Sequence, residues 1–291
     1  MEHEMKIAVV GGDLRYLYLS DLLSKTYPVY LFGFDKPFDT GASRLPLSDL
    51  SRLSQCDLVI LPLPAVTEGQ WVTAPFSSQR ISVYDLLPHL ARGALLLGGK
   101  VDPAFSSYLE ENSCSIADYY EREELAVLNA IPTAEGAIAI AMEELPITLW
   151  GCRCLITGYG RVSKALARRL LALGAQVTIA ARQHADLAWA SSEGFSALPF
   201  DQIAGEIATY DLVCNTVPAV VLDEATLRRM NPKSLLIDLA SKPGGVDFET
   251  ARSLGLKTVW ALSLPGKAAP ATAAAILQTT ILNIAKERGK L

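Results

Sequence analysis

Short apolar runs alternate along the whole chain with longer segments whose apolar positions recur at helical spacing. Residues 6–10 predict a strand that stops at Gly11-Gly12-Asp13, residues 15–25 a helix, and residues 29–32 a second strand. Strands of the fully buried, parallel type are predicted at 56–61 and 94–97, with a short one near 114–117. Together they predict a first domain of flavodoxin-like character over residues 1–130. Residues 121–144 carry no strand pattern, and 133–145 read as a helix closed by Pro146 that joins two domains. Beyond it, strands at 154–157, 176–181, 194–197, 211–216, 234–239 and 257–260 alternate with helices. They predict a Rossmann domain over 131–269, the connecting helix included. The final helix, from about 270 to 288, is apolar on too many faces to lie on one domain's surface, so 270–291 is expected to cross back and pack on the first domain. The predicted fold class is α/β, two doubly wound parallel sheets joined by crossing helices. Their strand ends, facing across a hinge, would form a cleft, and ligands of such folds bind beyond the carboxyl ends of strands.

Composition narrows the function. Half of the 291 residues are apolar and one-fifth are charged, enough for two buried cores. The net charge of −5, with no clustered Lys or Arg, argues against nucleic acid or an anionic membrane as a partner. The N-terminus runs from Met1 directly into the first strand without the apolar core of a secretory signal, which predicts a cytoplasmic protein. Five cysteines without framework spacing predict reduced thiols, and the Cys152-x-Cys154 pair is read as strand packing rather than as metal ligands. Residues 268–285 are uncharged and nominally long enough to span a bilayer, but Pro270, Gln278 and Asn283 favour a buried helix between domains.

The strongest chemical signal runs from Cys154 to Arg182: an apolar strand, Gly158-Tyr159-Gly160-Arg161-Val162-Ser163, a helix, Gly174, and a second strand. This is a βαβ unit of the dinucleotide-binding kind. Gly158 permits the tight turn and Gly160 lets the backbone approach a pyrophosphate at the positive end of the helix. Ser163 stands at the third glycine position and still allows close helix packing. Arg182 ends the second strand, where NAD-specific proteins carry a carboxylate for the ribose hydroxyl. With Gln183 and His184 beside it, Arg182 offers donors to a 2′-phosphate, which predicts NADP (NADPH) over NAD.

Other candidates lie at strand ends. Asn215-Thr216-Val217-Pro218, Leu239 and Ala240 would flank the nicotinamide end, and Lys242 brings a cation there. Leu264-Pro265-Gly266-Lys267 reads as a rigid loop presenting a lysine to an anionic substrate. Gly11-Gly12-Asp13-x-Arg15 is read as bare amides, a carboxylate and a guanidinium able to grip a carboxylate by two parallel bonds. Thr133-Ala134-Glu135-Gly136 is read as opening the connecting helix, with an anion-friendly N-terminus and an acid/base residue. Only His3, His89 and His184 occur, none at or after the late strands of the Rossmann domain, so the histidine relay of 2-hydroxyacid dehydrogenases has no residue to run it.

Gly-Gly-Asp-x-Arg, Pro-Thr-Ala-Glu-Gly, Gly-Tyr-Gly-Arg-Val, Asn-Thr-Val-Pro-Ala, Ile-Asp-Leu-Ala-Ser-Lys-Pro-Gly-Gly and Leu-Pro-Gly-Lys-Ala-Ala-Pro follow one another in this chain. In that order they resemble the A-subunit family of dipicolinate synthase over essentially the whole length. The resemblance implies NADP-linked oxidation of the cyclic dicarboxylate made by dihydrodipicolinate synthase to pyridine-2,6-dicarboxylate. It also implies the flavoprotein-like B-subunit of dipicolinate synthase as partner, and the mother-cell cytoplasm of a sporulating bacterium. Under it, Arg15, Lys242 and Lys267 are candidate anchors for the two carboxylates, with Gly12 and Thr133 beside them. Asp13 or Glu135 is the candidate base, with Lys242 at the reacting end. A homo-oligomer is a further expectation. A different two-domain NAD(P)-dependent enzyme, a dehydrogenase or an adenosylhomocysteinase-like hydrolase, and a non-catalytic NADP-binding regulatory protein stay open as alternatives.

Overall fold

The computed structural model describes residues 4–36 and 49–291; His3 lies outside them. The chain divides into two compact units, Met1–Leu128 with Ala269–Leu291, and Asn129–Ala268. Both are α/β with parallel sheets.

The first unit begins with β1 (Ile7–Val10), α1 (Leu14–Leu23), β2 (Val29–Phe32) and β3 (Leu58–Ile60). A small antiparallel hairpin follows, β4 (Val66–Thr67) and β5 (Trp71–Val72), and then a one-turn α2 (Val83–Leu86). β6 (Leu95–Gly98), α3 (Pro103–Glu111) and β7 (Ile116–Asp118) complete the run. The parallel sheet has the order β2-β1-β3-β6-β7, the flavodoxin-like arrangement. Its central strands are apolar because both faces are covered, and alternation decides which residue faces which layer. Ile7, Val9, Leu58 and Ile60 pack with Tyr16, Leu19 and Leu23 of α1, while Ala8, Val10, Val59 and Leu96 pack with Leu86, Phe105 and Leu109 on the other face.

α4 (Glu123–Glu144) runs on from one unit into the other, the division falling between Leu128 and Asn129. It begins ten residues before the start read from the sequence at Thr133. Pro132, which removes one backbone bond, sits inside the helix rather than at its head. Among the described residues α4 is the one helix long and apolar enough to cross a bilayer, and its Ala134, Ala137 and Ala141 lie in the core of the second unit.

The second unit contains β8 (Arg153–Thr157), α5 (Arg161–Ala172), β9 (Gln176–Ala181), α6 (His184–Ser192) and β10 (Ser196–Pro199). After them come α7 (Ile203–Glu206), β11 (Leu212–Asn215), α8 (Glu224–Leu227), β12 (Leu235–Asp238), α9 (Phe248–Ser253), β13 (Lys257–Trp260) and α10 (Leu264–Ala268). The all-parallel sheet is ordered β10-β9-β8-β11-β12-β13, the Rossmann order, which reverses direction at β8. Cys154 and Cys214 are buried on the face covered by α4 and α5, and all five cysteines are free. Residues 264–268, read from the sequence as a loop, form the short α10 despite Pro265 and Gly266.

α11 (Pro270–Glu287) belongs to the first unit, where Ala274, Leu277, Ile281 and Ile284 join the core beside α1. Deleting a fully buried branched side chain leaves a cavity, so Ile281→Ala is expected to lower stability by roughly 2–5 kcal/mol. Urea unfolding of the full chain measures this, and wild-type stability would show that α11 contributes little to that core.

Candidate dinucleotide-binding site

β8 is built from apolar residues up to Thr157 and then turns at Gly158, whose φ of +87° only glycine adopts without strain. A Cβ on Gly158 would also lie 2.8 Å from Thr216 Oγ1 and 2.9 Å from Val217 Cγ2. The protein itself therefore requires this glycine. Gly160 differs: its backbone is extended, and a Cβ there would meet nothing within 4 Å. It caps α5 without any side-chain hydrogen bond. A bare backbone facing open space at the N-terminus of a long helix leaves room in which a pyrophosphate would fit. Ser163 is fully buried, as close packing of α5 on the sheet demands.

Tyr159, read as a cofactor contact, turns its side chain into the core against Phe195, so only its backbone faces the turn. Arg161 and Val162 form the first turn of α5. Arg182, Gln183 and His184 follow β9 and are exposed, and Arg182 makes no hydrogen bond or ion pair with a described residue.

On the other side of β8 three adjacent strands end in polar residues at one level of the sheet: Thr157, Asn215 and Asp238. All three are 0% exposed. The Asn215 side-chain carbonyl accepts from Thr157 Oγ1 at 2.6 Å and from Val217 N at 3.1 Å. Its amide nitrogen donates to Asp238 Oδ1 at 2.7 Å and to Val217 O at 3.0 Å. Every hydrogen-bonding position of Asn215 is thus used inside the protein, and the ribose or carboxamide contact read for it from the sequence is corrected. Ala240 donates its N–H to Asp238 at 3.0 Å and accepts from Trp260 Nε1 at 3.1 Å on its carbonyl. Thr216 donates its hydroxyl to Thr157 O at 2.7 Å. Thr216, Val217 and Leu239 remain partly exposed, and Pro218 and Lys242 are exposed.

Two further motifs meet in this unit. A Cβ on Gly136 of α4 would lie 3.1 Å from Ala268 and 3.2 Å from Leu264, so α10, which carries the exposed Lys267, packs against α4 at that glycine. Glu135 beside it is exposed and pairs with Arg169 at 3.3 Å. Thr133 lies mid-helix and donates to Asn129 O at 2.7 Å, so the helix-start anion site read around Thr133 and Glu135 does not exist.

In the first unit, Asp13 caps α1 and Arg15 forks onto it, Nε to Oδ1 at 2.9 Å and Nη2 to Oδ2 at 2.8 Å. The fork read as a substrate grip is taken by the chain's own carboxylate. The amides of Gly11 and Gly12 are not bare either, bonding Phe32 O at 2.8 Å and Thr73 O at 2.7 Å. Gly12 is glycine because a Cβ would fall 2.1 Å from the Tyr16 ring. The Tyr16 hydroxyl lies 2.7 Å from that of Tyr119, which donates to Leu61 O at 2.9 Å. Burial pushes Tyr16 up to about 12 and Tyr119 well above the ordinary phenol range, so both stay protonated.

Residues 6–120 match the model of the N-terminal domain of the dipicolinate synthase A-subunit, and residues 145–251 match a putative NAD(P)-binding model. The dipicolinate synthase A-subunit of Bacillus subtilis (strain 168) is 33% identical over 97% of this chain and 96% of its own length. The chain belongs to the A-subunit family of dipicolinate synthase. The solved structure of the A chain of dipicolinate synthase from Bacillus subtilis superimposes with a TM-score of 0.86 at 32% identity, over 100% of this chain and 99% of the other. That of the dipicolinate synthase A-subunit from Bacillus halodurans gives 0.87 at 30%, over 96% and 97%. A transhydrogenase from Sinorhizobium meliloti, 15% identical with a TM-score of 0.68 over 96% of this chain and 92% of that one, shares the fold. The second unit of this family member is a nicotinamide-dinucleotide-binding domain, as its βαβ turn indicated.

Thr157, Asp238 and Gly245 were not singled out from the sequence as a connected group. Their signal was a polar residue closing each of three apolar strands, with a glycine pair after the last. The two turn glycines separate protein need from ligand need. Gly158→Ala is expected to lower stability by about 1–3 kcal/mol, whereas Gly160→Ala costs less than about 1 kcal/mol yet abolishes tight dinucleotide binding. Thermal unfolding together with NADPH fluorescence titration measures both; full NADPH affinity in Gly160→Ala would contradict the pyrophosphate assignment.

Proposed function

We propose that this chain is the NADP-linked oxidoreductase component that converts the cyclic dicarboxylate product of dihydrodipicolinate synthase into pyridine-2,6-dicarboxylate, together with a flavoprotein-like partner. The observation that carries the cofactor half is the β8–α5 turn, with Gly160 facing open space and Arg182 exposed at the end of β9. Bound NADP would accept a hydride from a ring carbon, and from the dihydro form of the ring the loss of that hydride and one proton completes aromaticity.

The chain's own residues bind, orient and move the proton. Arg182 meets the 2′-phosphate that a carboxylate at this position would repel. Thr216, Val217, Pro218 and Leu239 border the nicotinamide side. Two carboxylates call for two cations, and Lys242 and Lys267 are both exposed, with no partner among the described residues. Arg15, forked onto Asp13, is the third candidate. Glu135, exposed on α4 beside α10, is the first candidate for the proton, with Asp13 the second. Because aromatisation drives the step, orientation of substrate and cofactor suffices, and no histidine is required. Membership in this family supports a second protein in the enzyme, a cytoplasmic setting in a sporulating cell, and a reaction other than the keto/hydroxy exchange of two-domain dehydrogenases. Self-association into a homo-oligomer is part of the same reading.

The test uses the full chain with NADP and freshly generated dihydrodipicolinate synthase product, with and without the flavoprotein-like partner and with NAD in parallel, following NADPH and pyridine-dicarboxylate absorbance. Both are expected to rise together, faster with NADP than with NAD. Arg182→Ala is expected to lose about tenfold in NADP affinity while keeping that for NAD. NADPH binding without product under either condition would instead favour a non-catalytic cofactor-binding role.

A further inference from the structure

We infer that Asp238 is a positioning residue for the nicotinamide half of the dinucleotide, acting through two loops that it holds rather than by touching the cofactor. This rests on the reading that the dinucleotide lies along the carboxyl edge of the second sheet. In that arrangement the β8–β9–β10 half takes the adenine side and the β11–β12–β13 half the nicotinamide side.

Asp238 is a fully buried carboxylate at the end of β12, and no cation pairs with it among the described residues. It is held instead by three N–H donors: Asn215 Nδ2 at 2.7 Å, Ala240 N at 3.0 Å and Gly245 N at 2.8 Å. Two of these donors are the feet of one loop. Residues 240–245 leave and return to the same carboxylate, and Lys242 projects from the tip. Within the loop Gly244 N donates to Ser241 O at 2.9 Å, and the Trp260 indole fixes the Ala240 carbonyl. The third donor, Asn215, passes the constraint to the other loop by gripping both the N–H and the carbonyl of Val217, whose side chain stands beside Gly158 at the phosphate turn.

The glycine pair after Lys242 shows how closely the loop must approach. A Cβ on Gly245 would lie 2.2 Å from Asn215 Nδ2 and 2.4 Å from Val217 O, and one on Gly244 would lie 2.8 Å from Asp238 Oδ2. Only an acceptor on both oxygens suits this centre. A carboxylate takes all three donors, whereas an amide turns one N–H toward another. Asp238 thereby sets Val217 on one side and Lys242 on the other.

The experiment measures binding to the full chain by calorimetry, with NADPH and with adenosine 2′,5′-bisphosphate, the adenine half of the same molecule. Asp238→Asn is expected to weaken NADPH by about tenfold or more while leaving adenosine 2′,5′-bisphosphate within about twofold of wild type. Thr157→Val keeps the strand's shape and removes one donor from Asn215, so it is expected to show the same split at smaller size even if Asp238→Asn does not fold. A general loss of structure weakens both ligands alike, and that result, or unchanged NADPH affinity in both variants, would overturn the inference. A wild-type chain that binds NADPH no more tightly than its adenine half would overturn the underlying reading of these loops as well.

Discussion

The second unit depends on a row of side chains that closes three neighbouring strands, Thr157 on β8, Asn215 on β11 and Asp238 on β12. Burying polar groups at the end of an apolar sheet costs several kcal/mol for each one left without a partner, roughly 2–7 for an amide or hydroxyl. Here the donors and acceptors match. Thr157 donates, Asn215 accepts and donates in turn, and Asp238 accepts from Asn215 and two backbone amides. The row converts a cost into a constraint, because the loops after β11 and β12 can be displaced only by breaking it. The residues that stay exposed there, Pro218 and Lys242, project from backbone already fixed from within.

The same contrast separates the two glycine-rich turns. At β8 the structure requires Gly158 but leaves Gly160 facing open space at the head of α5. At β1 nothing is kept open. The Tyr16 ring fills the space beside Gly12, both glycine amides bond to carbonyls, and Asp13 and Arg15 occupy each other. Two turns of similar sequence at equivalent strand ends thus differ in physical state, one with open space beside its glycine and one filled by Tyr16 and the Asp13–Arg15 pair.

Much of the fold was legible from hydrophobic periodicity. The strands at Val29–Phe32, Gln176–Ala181 and Lys257–Trp260 coincide with the bounds read from the sequence, and the central strands are apolar because a parallel sheet is covered on both faces. The doubly wound order follows from strict strand–helix alternation. Where local signals competed with tertiary packing, they misled. Pro132 and the threonine after it look like a helix start, yet α4 extends ten residues earlier; Pro265 and Gly266 look like a loop, yet they form α10 against Gly136. At the site, the turn at Gly158 was legible because its demand for a left-handed backbone is local, and Arg182 stands exposed after β9 where the sequence placed it. Asn215 and the Gly-Gly-Asp-x-Arg string misled for one shared reason: a sequence shows which groups can form hydrogen bonds but not which are already bonded inside the protein.

In the proposed function a dinucleotide occupies the carboxyl edge of the second sheet, from the β8–α5 turn to the loops held by Asp238. Amide hydrogen exchange of the full chain with and without NADPH tests it most directly. Added protection is expected at Gly158–Val162, Arg182–His184, Thr216–Val217 and the loop of residues 239–245, with Gly12–Arg15 unchanged by NADPH alone. Protection confined to other segments, or none at saturating NADPH, would contradict it.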